Sequence, residues 1–245
     1  MFNSFTRRFF STIPPKPPTP PTSKPTTPAV KKVKKVKPPK QPIRKPTNLL
    51  ILSLGNPKEY NGTRHSIGHY VLDKLQNRYR SMPTRIGRFE ISNHIINDTN
   101  LWFYRVPGYM NLSGKSVTPF FKEFTNKFKG EDTDFQTVIL FDELDVDLGL
   151  VKIRKINSSH RGHNGLRDIQ ASSNIGKNYT GLQLGIGRYY NGDRTKPGVV
   201  ADYVLSKFKP NEFEIIDDQL VDKVMDILEE MTNGKYIYDK LKKNL

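Results

Sequence analysis

The sequence predicts a single α/β domain: a mixed, twisted sheet flanked by helices. Three observations point there. Short apolar runs of strand character alternate with longer segments whose apolar residues recur at helical spacing. The Gly-, Asn- and Asp-rich loops fall at the ends of the strand-like runs. The length, 245 residues, suits one domain or at most two small ones, and no internal repeat is present.

The elements follow in chain order. Residues 48–54 (NLLILSL) are a continuous apolar run, as expected of a buried strand, and stop at Gly55-Asn56-Pro57. Residues 66–79 carry Ile67, Tyr70, Val71 and Leu75 at helical period, with Ser66 in the cap position. Residues 89–96 and 101–106 read as paired strands joined by a turn over 97–100. A helix is predicted from Ser113 to about Phe128, and a buried strand over 137–141 that stops at Asp142. Residues 150–156 alternate apolar and basic side chains, the pattern of a half-exposed strand. A helix starts at Asn164 and runs to Ser172. Residues 182–186 are a strand, 203–208 a short strand or turn, and 211–231 a helix through Phe213, Ile216, Leu220, Val224, Ile227 and Leu228.

Charge is distributed unevenly. Residues 1–48 hold 12 of the 40 Lys+Arg and 12 of the 18 Pro, with no Asp or Glu, which leaves 28 basic against 24 acidic side chains in the remainder. The net +16 therefore mostly describes a tail, and a nucleic-acid site on the body must be a local patch. The boundary is expected at 47/48, with a domain over 48–245. The opening MFNSFTRRFFSTI has the composition of a mitochondrial transit peptide, with Arg8 two residues before the bond between Phe10 and Ser11; a disordered basic end is the alternative. Residues 14–46 are rich in Pro, Thr and Lys and are expected to be extended. Their Lys31, Lys32, Lys34, Lys35 and Lys37 are read as part of a solvated linker, with contact to RNA, the ribosome or anionic lipid as the alternative. The absence of cysteine excludes disulfides, thiolate catalysis and thiolate zinc sites. No apolar run approaches the roughly 18 residues of a membrane helix.

The polar clusters follow strands, where ligands gather in open α/β sheets. Gly55 stands alone without a G-x-G-x-x-G pattern, so a dinucleotide site is not indicated. His65 precedes a helix start, a position that disfavours an imidazolium and keeps the ring basic. His69 is four residues on, but a zinc pair would lack an intervening Glu and a third ligand. Asp142 ends an apolar strand and is followed by Glu143, Asp145 and Asp147. As the acid nearest the core, it is the candidate to orient a histidine and strengthen it as a base. Asn111 and Asn164 each precede or open a helix, where they either cap it or offer amides to a cleft.

Five motifs, LSLGNPKEYNGTRHSIG, GYMNLSGK, FDELDVDLG, RGHNGLRD and LGIGR, occur in this order. Together they resemble the bacterial-type peptidyl-tRNA hydrolase family over about residues 48–232. The resemblance implies that family's single α/β domain, monomeric and free of metal or other cofactors. It implies hydrolysis of the ester joining a peptide to the terminal ribose of tRNA, recycling prematurely released peptidyl-tRNA. His65 would be the catalytic histidine and Asp142 its partner. Asn56, Asn111 and Asn164 would be cleft amides, with Tyr60 and Met110 also bordering substrate. Lys152, Arg154 and Lys155 match a basic stripe used for RNA phosphates; a solvated strand face is the alternative. The N-terminal extension fits an organellar member of the family, expected in the mitochondrial matrix.

Some positions depart from the family pattern. Gln183 stands where many members have a basic residue, with Arg188 and Arg194 nearby to compensate. Phe141 replaces a common His, Ser66-Ile67 a common Asn-Ala, and Asn157-Ser158-Ser159-His160 a glycine-rich stretch. The competing reading is an RNA-binding or intron-splicing partner on the same fold, without turnover.

Overall fold

The computed structural model describes residues 46–129, 135–188 and 196–236. The transit-peptide and linker expectations and Arg194 lie outside them. Seven strands occur in these residues: β1 (Asn48–Ser53), β2 (Met82–Ile86), β3 (Phe89–Ile96), β4 (Thr99–Arg105), β5 (Phe135–Glu143), β6 (Val151–Arg154) and β7 (Thr180–Gly185). The helices are α1 (Ile67–Arg78), α2 (Ser113–Lys127), α3 (Asn164–Ser172), α4 (Pro197–Leu205), α5 (Pro210–Ile215) and α6 (Val221–Thr232).

The strands form one sheet in the order β2-β3-β4-β1-β5-β7-β6. Its centre, β4-β1-β5-β7, is parallel. The meander β2-β3-β4 and the pairing of β6 with β7 add antiparallel edges. The mixed sheet is thus as expected. All six residues of β1 are buried, because helices cover both faces, and that burial is why the strand is apolar at consecutive positions. Leu49 and Ile51 pack with Val71 of α1 and Leu228 of α6. Leu50 and Leu52 pack on the opposite face with Phe120 of α2 and Leu166 of α3.

Three local expectations are revised. The turn between β3 and β4 needs only Asn97 and Asp98, at φ 49° and 64°, the double left-handed geometry of a tight hairpin. Strand β2 is absent from the elements expected of the sequence: it is a sheet edge, largely exposed, and contains Pro83, so it carries neither an apolar alternation nor a full ladder. The first half of the short strand or turn expected over 203–208 is helix. Tyr203, Val204 and Leu205 end α4, and strand-like pairing in this segment amounts, among the described residues, to a bridge between Thr63 and Lys207. The helix predicted over 211–231 is present as α5, a single π turn at Ile216–Leu220, and α6.

Candidate active site

The parallel strands all deliver their carboxyl ends to one rim, and the loops after β1, β4 and β5 meet there. The loop after β1 is shaped by a histidine it covers. His69 is buried in α1, with Nδ1 2.8 Å from Ser53 Oγ. A Cβ on Gly55 would lie 2.3 Å from the His69 ring, so glycine here permits close packing. Burial, reinforced by Arg105, pushes the His69 pKa down to about 3. His69 is therefore a neutral core residue committed to Ser53, and it forms no metal pair with His65.

Asn56 locks two loops together. Its backbone N donates to Ser66 Oγ at 3.1 Å, and its side-chain Oδ1 accepts from Met110 N at 2.9 Å. The Ser66 hydroxyl thus serves Asn56 instead of capping α1 through its side chain. Because the Asn56 oxygen is spent on Met110, the group left for the cleft is the Nδ2 donor.

His65 sits in the 3-10 turn Arg64–Ser66 that leads into α1. Its Nδ1 is 2.8 Å from Asp142 Oδ1. The same oxygen lies 3.0 Å from Nε2 of His163. His163 is the N-cap of α3, and its Nδ1 accepts from Leu166 N at 3.2 Å. That bond determines the tautomer: with Nδ1 as acceptor, Nε2 carries the proton and donates to Asp142. His65 donates from Nδ1 likewise, which leaves its Nε2 lone pair free to act as a base.

Burial disfavours a charged His65, but the Asp142 carboxylate outweighs it, and the pKa of His65 is raised. This corrects the helix-start argument: the carboxylate in contact dominates over the weak field of a helix terminus. For Asp142 itself, burial opposes ionisation, yet His65 and His163 hold its carboxyl well below the usual range. The ligand-type atoms of His65, Asp142 and His163 lie within 4.8 Å of one another. With the His163 nitrogens already used by Leu166 N and Asp142, this is a hydrogen-bonded trio and not a preformed metal cradle.

The trio opens into a cleft of about 700 Å³. Asn56, Tyr60, His65, Met110, Asn111, Asp142 and Asn164 all line it, so the structure brings these sequence-predicted residues together. Asn111 and Asn164 are exposed at its surface. Neither caps a helix: His163 caps α3, and Asp168 Oδ2 receives the N–H groups of Gly114 and Lys115 at the start of α2. Tyr60 and Tyr109 meet edge to face, ring centres 6.4 Å apart. Val200, Ala201, Val204 and Leu205 of α4 supply an apolar wall.

Arg64, next to the histidine, anchors that wall. Its guanidinium bonds Ser206 Oγ (3.0 Å), Lys207 O (2.7 Å) and both oxygens of Glu212 (2.7 and 2.8 Å). It also lies over the rings of Tyr203 and Phe208, at 4.7 and 4.9 Å. Sequence reasoning missed Arg64, the α4 wall and His163. For His163 a signal existed, a polar side chain directly before the predicted α3 start.

The basic stripe is divided. Lys152 and Lys155 are exposed, as expected, but Arg154 is 7% exposed. Its Nη2 donates to Ser159 O, so Arg154 holds the 157–160 loop from beneath and is not presented to RNA. β6 is an edge strand with Val151 and Ile153 against one core, and that loop folds over the other face at Arg154. Gln183 is also buried and donates to the Glu143 carboxylate. Phe141 packs edge-on to His163, ring centres 5.3 Å apart.

A parallel-rich α/β sheet carrying a carboxylate-oriented histidine and cleft amides fits a class: hydrolases that activate water by general base catalysis. Comparison with known proteins makes the class specific, because the peptidyl-tRNA hydrolase family model matches residues 50–244, and the chain belongs to that family. It is similar to a peptidyl-tRNA hydrolase of Rickettsia africae, 36% identical over 179 residues that span 72% of this chain and 89% of the relative. The corresponding protein of Rickettsia bellii is 35% identical over 181 residues, 73% and 90% of the two chains. Among solved structures, an Arg119Gln mutant of peptidyl-tRNA hydrolase from Acinetobacter baumannii superposes with a TM-score of 0.63 at 30% identity, covering 79% of this chain and 92% of that one.

Proposed function

We propose that this chain hydrolyses the ester between a peptide and the terminal ribose of tRNA, with His65 as general base. The observation that carries the reading is the 2.8 Å contact of His65 Nδ1 with buried Asp142 inside the cleft, which leaves Nε2 free. Nε2 takes a proton from water as the water oxygen attacks the ester carbonyl. Asp142 stabilises the imidazolium that forms. The Nδ2 of Asn56, or the amide of Asn111, donates to the developing oxyanion. Collapse breaks the bond to the ribose oxygen, which takes up the proton held by His65, releasing tRNA and the peptide acid. Asn164 holds water or peptide backbone, and Tyr60 and Met110 border the substrate. Base catalysis of this kind contributes about 10²–10⁴-fold.

The test is turnover of an N-blocked aminoacyl-tRNA by His65→Ala. A loss of at least about 10²-fold is expected, and near-unaltered hydrolysis by the variant refutes the assignment. RNA binding without turnover is not favoured, since the curated relatives above are described as hydrolases.

Exposed Lys152 and Lys155 are the stripe residues suited to RNA phosphates. The reading also includes a monomer working in the mitochondrial matrix, on the strength of the acid-free, Arg-bearing opening segment. The Lys-rich linker is read as solvated, with at most loose contact to ribosome or membrane. Residues 1–47 fused to a reporter are expected to direct it to mitochondria, and a cytosolic reporter rejects that part.

A further inference from the structure

An acid sits among cations at the rim of the cleft. Arg188 Nε donates to Asp145 Oδ1 at 2.6 Å. Arg161 lines the same cleft as Arg188, Asp145 and His65. Lys152 comes from β6, paired with Gln183 of β7. The hydrogen bond from Arg188 holds the Asp145 carboxyl below its usual range, and the charges of Arg188, Arg161 and Lys152 add to it. Of the other acids lining the cleft, Glu143 is already engaged by Gln183 and Asp142 by His65 and His163.

Two further features set this cluster apart from an ordinary surface ion pair. The Asp145 side chain is 65% exposed, so water screens its attraction to Arg188 and a stronger anion can replace it. Arg161 adopts a left-handed backbone at φ 45°, a conformation unfavourable for a side chain with a Cβ and found preferentially at functional sites. Arg161 and Gly162, at φ 45° and 87°, are the two central residues of a turn closed by His163 N donating to His160 O at 3.0 Å, and the exposed Arg161 side chain borders the cleft.

We propose that Asp145 is a resident stand-in for RNA phosphate, occupying an anion site formed by Arg161, Arg188 and Lys152 that a phosphodiester of the substrate takes over on binding. The inference deepens the hydrolase reading and rests on it. Guanidinium groups pair with the non-bridging oxygens of a phosphodiester in the same forked geometry they use for a carboxylate. Because Arg161 and Arg188 share the cleft with His65, the phosphate concerned belongs to the nucleotides leading into the esterified ribose, not to a distant part of the RNA. Asp145 then keeps the site ordered when empty and opposes anions that bind less well than the substrate.

The experiment uses the full chain and two substrates: an N-blocked aminoacyl-tRNA, and the same N-blocked amino acid esterified to adenosine, which has no phosphate. Asp145→Asn is expected to lower KM for the tRNA substrate about 3–10-fold, since each cation–phosphate contact no longer competes with a fixed anion. Arg161→Gln and Arg188→Gln are expected to raise it, and each to make the salt dependence of log kcat/KM shallower by about 0.7. The effects should be confined to the substrate that bears phosphates. The sign for Asp145→Asn is decisive. If Asp145 only orients Arg188, its removal raises KM in step with the arginine variants, and the proposal is overturned. It is overturned equally if KM and salt slope stay unchanged in all three variants, or if the phosphate-free ester responds as strongly. In either case continued hydrolysis by the unaltered chain leaves the hydrolase reading standing; hydrolysis of neither substrate removes both.

Discussion

Replacing Asp142 with Asn tests the centre of the site with the least change of shape. Asp142 Oδ1 accepts from His65 at 2.8 Å and from His163 at 3.0 Å, and an amide oxygen in the same place can still accept both protons. What disappears is the charge. In the transition state His65 becomes an imidazolium whose charge centre lies about 4 Å from the carboxylate, an attraction of about 4 kcal/mol at the effective dielectric of a protein site. At 1.36 kcal/mol per decade the expected loss is about 10³-fold in kcat. The pH profile should change as well. Neutral His65 is the active form, so activity rises with pH through its pKa. With Asp142 present that pKa is raised above the ordinary 6.5; without it burial acts alone, and the acid limb should move below 6.5. The assay is release of tRNA from an N-blocked aminoacyl-tRNA between pH 5 and pH 9, about two units either side of the ordinary histidine pKa, with circular dichroism to confirm the fold. A loss of less than about tenfold, or an acid limb that stays or moves upward, would refute the reasoning.

Asn56→Asp keeps an acceptor for Met110 N but removes the Nδ2 donor; kcat should fall by about 10²-fold or more, and single-turnover kinetics that match the unaltered chain rule out an oxyanion role. His69, neutral in the fold with its pKa pushed down to about 3, makes stability depend on acid. The unfolded chain binds a proton at about 6.5 that the fold refuses, so stability is complete above that pH and falls below it by up to about 1.4 kcal/mol per unit. Urea titrations of His69→Gln should show this slope reduced by one proton, and identical slopes disprove the assignment. Arg64→Ala strips Glu212, with side chains 7% and 13% exposed in the pair, of its partner; a cost of about 3 kcal/mol should lower the melting midpoint by roughly 6–12 °C in calorimetry, whereas a shift within about 1 °C shows that the latch adds nothing.

Much of the fold is legible along the chain because the constraint is local. The run NLLILS had to be buried on both faces, whatever covered it, and β1 is. The helical spacing of Val71, Leu72 and Leu75 reflects one face of α1 against the sheet. Where local pattern and context diverge, the reading fails. Tyr203-Val-Leu carries strand-forming residues, yet it closes α4, with the Tyr203 hydroxyl bonded to Ile186 O and its ring under Arg64. Arg154 alternates with apolar neighbours like an exposed strand residue, but the 157–160 loop covers it.

That His65, Asp142 and the three asparagines border one cleft was legible in the sequence, because each sits in a short motif whose spacing places it at a strand end or helix start. Their division of labour was not. Whether His65 offers Nε2 depends on an oxygen 77 residues away, and whether His163 donates or accepts depends on Leu166 N. The use of Asn56 Oδ1 by Met110 is likewise a contact between loops 54 residues apart, and the removal of Arg154 from the RNA-facing surface follows from how the 157–160 loop folds back onto it. Residue types and local spacing travel with the chain, whereas hydrogen-bond direction and burial arise from strand order, register and the loops that close over them.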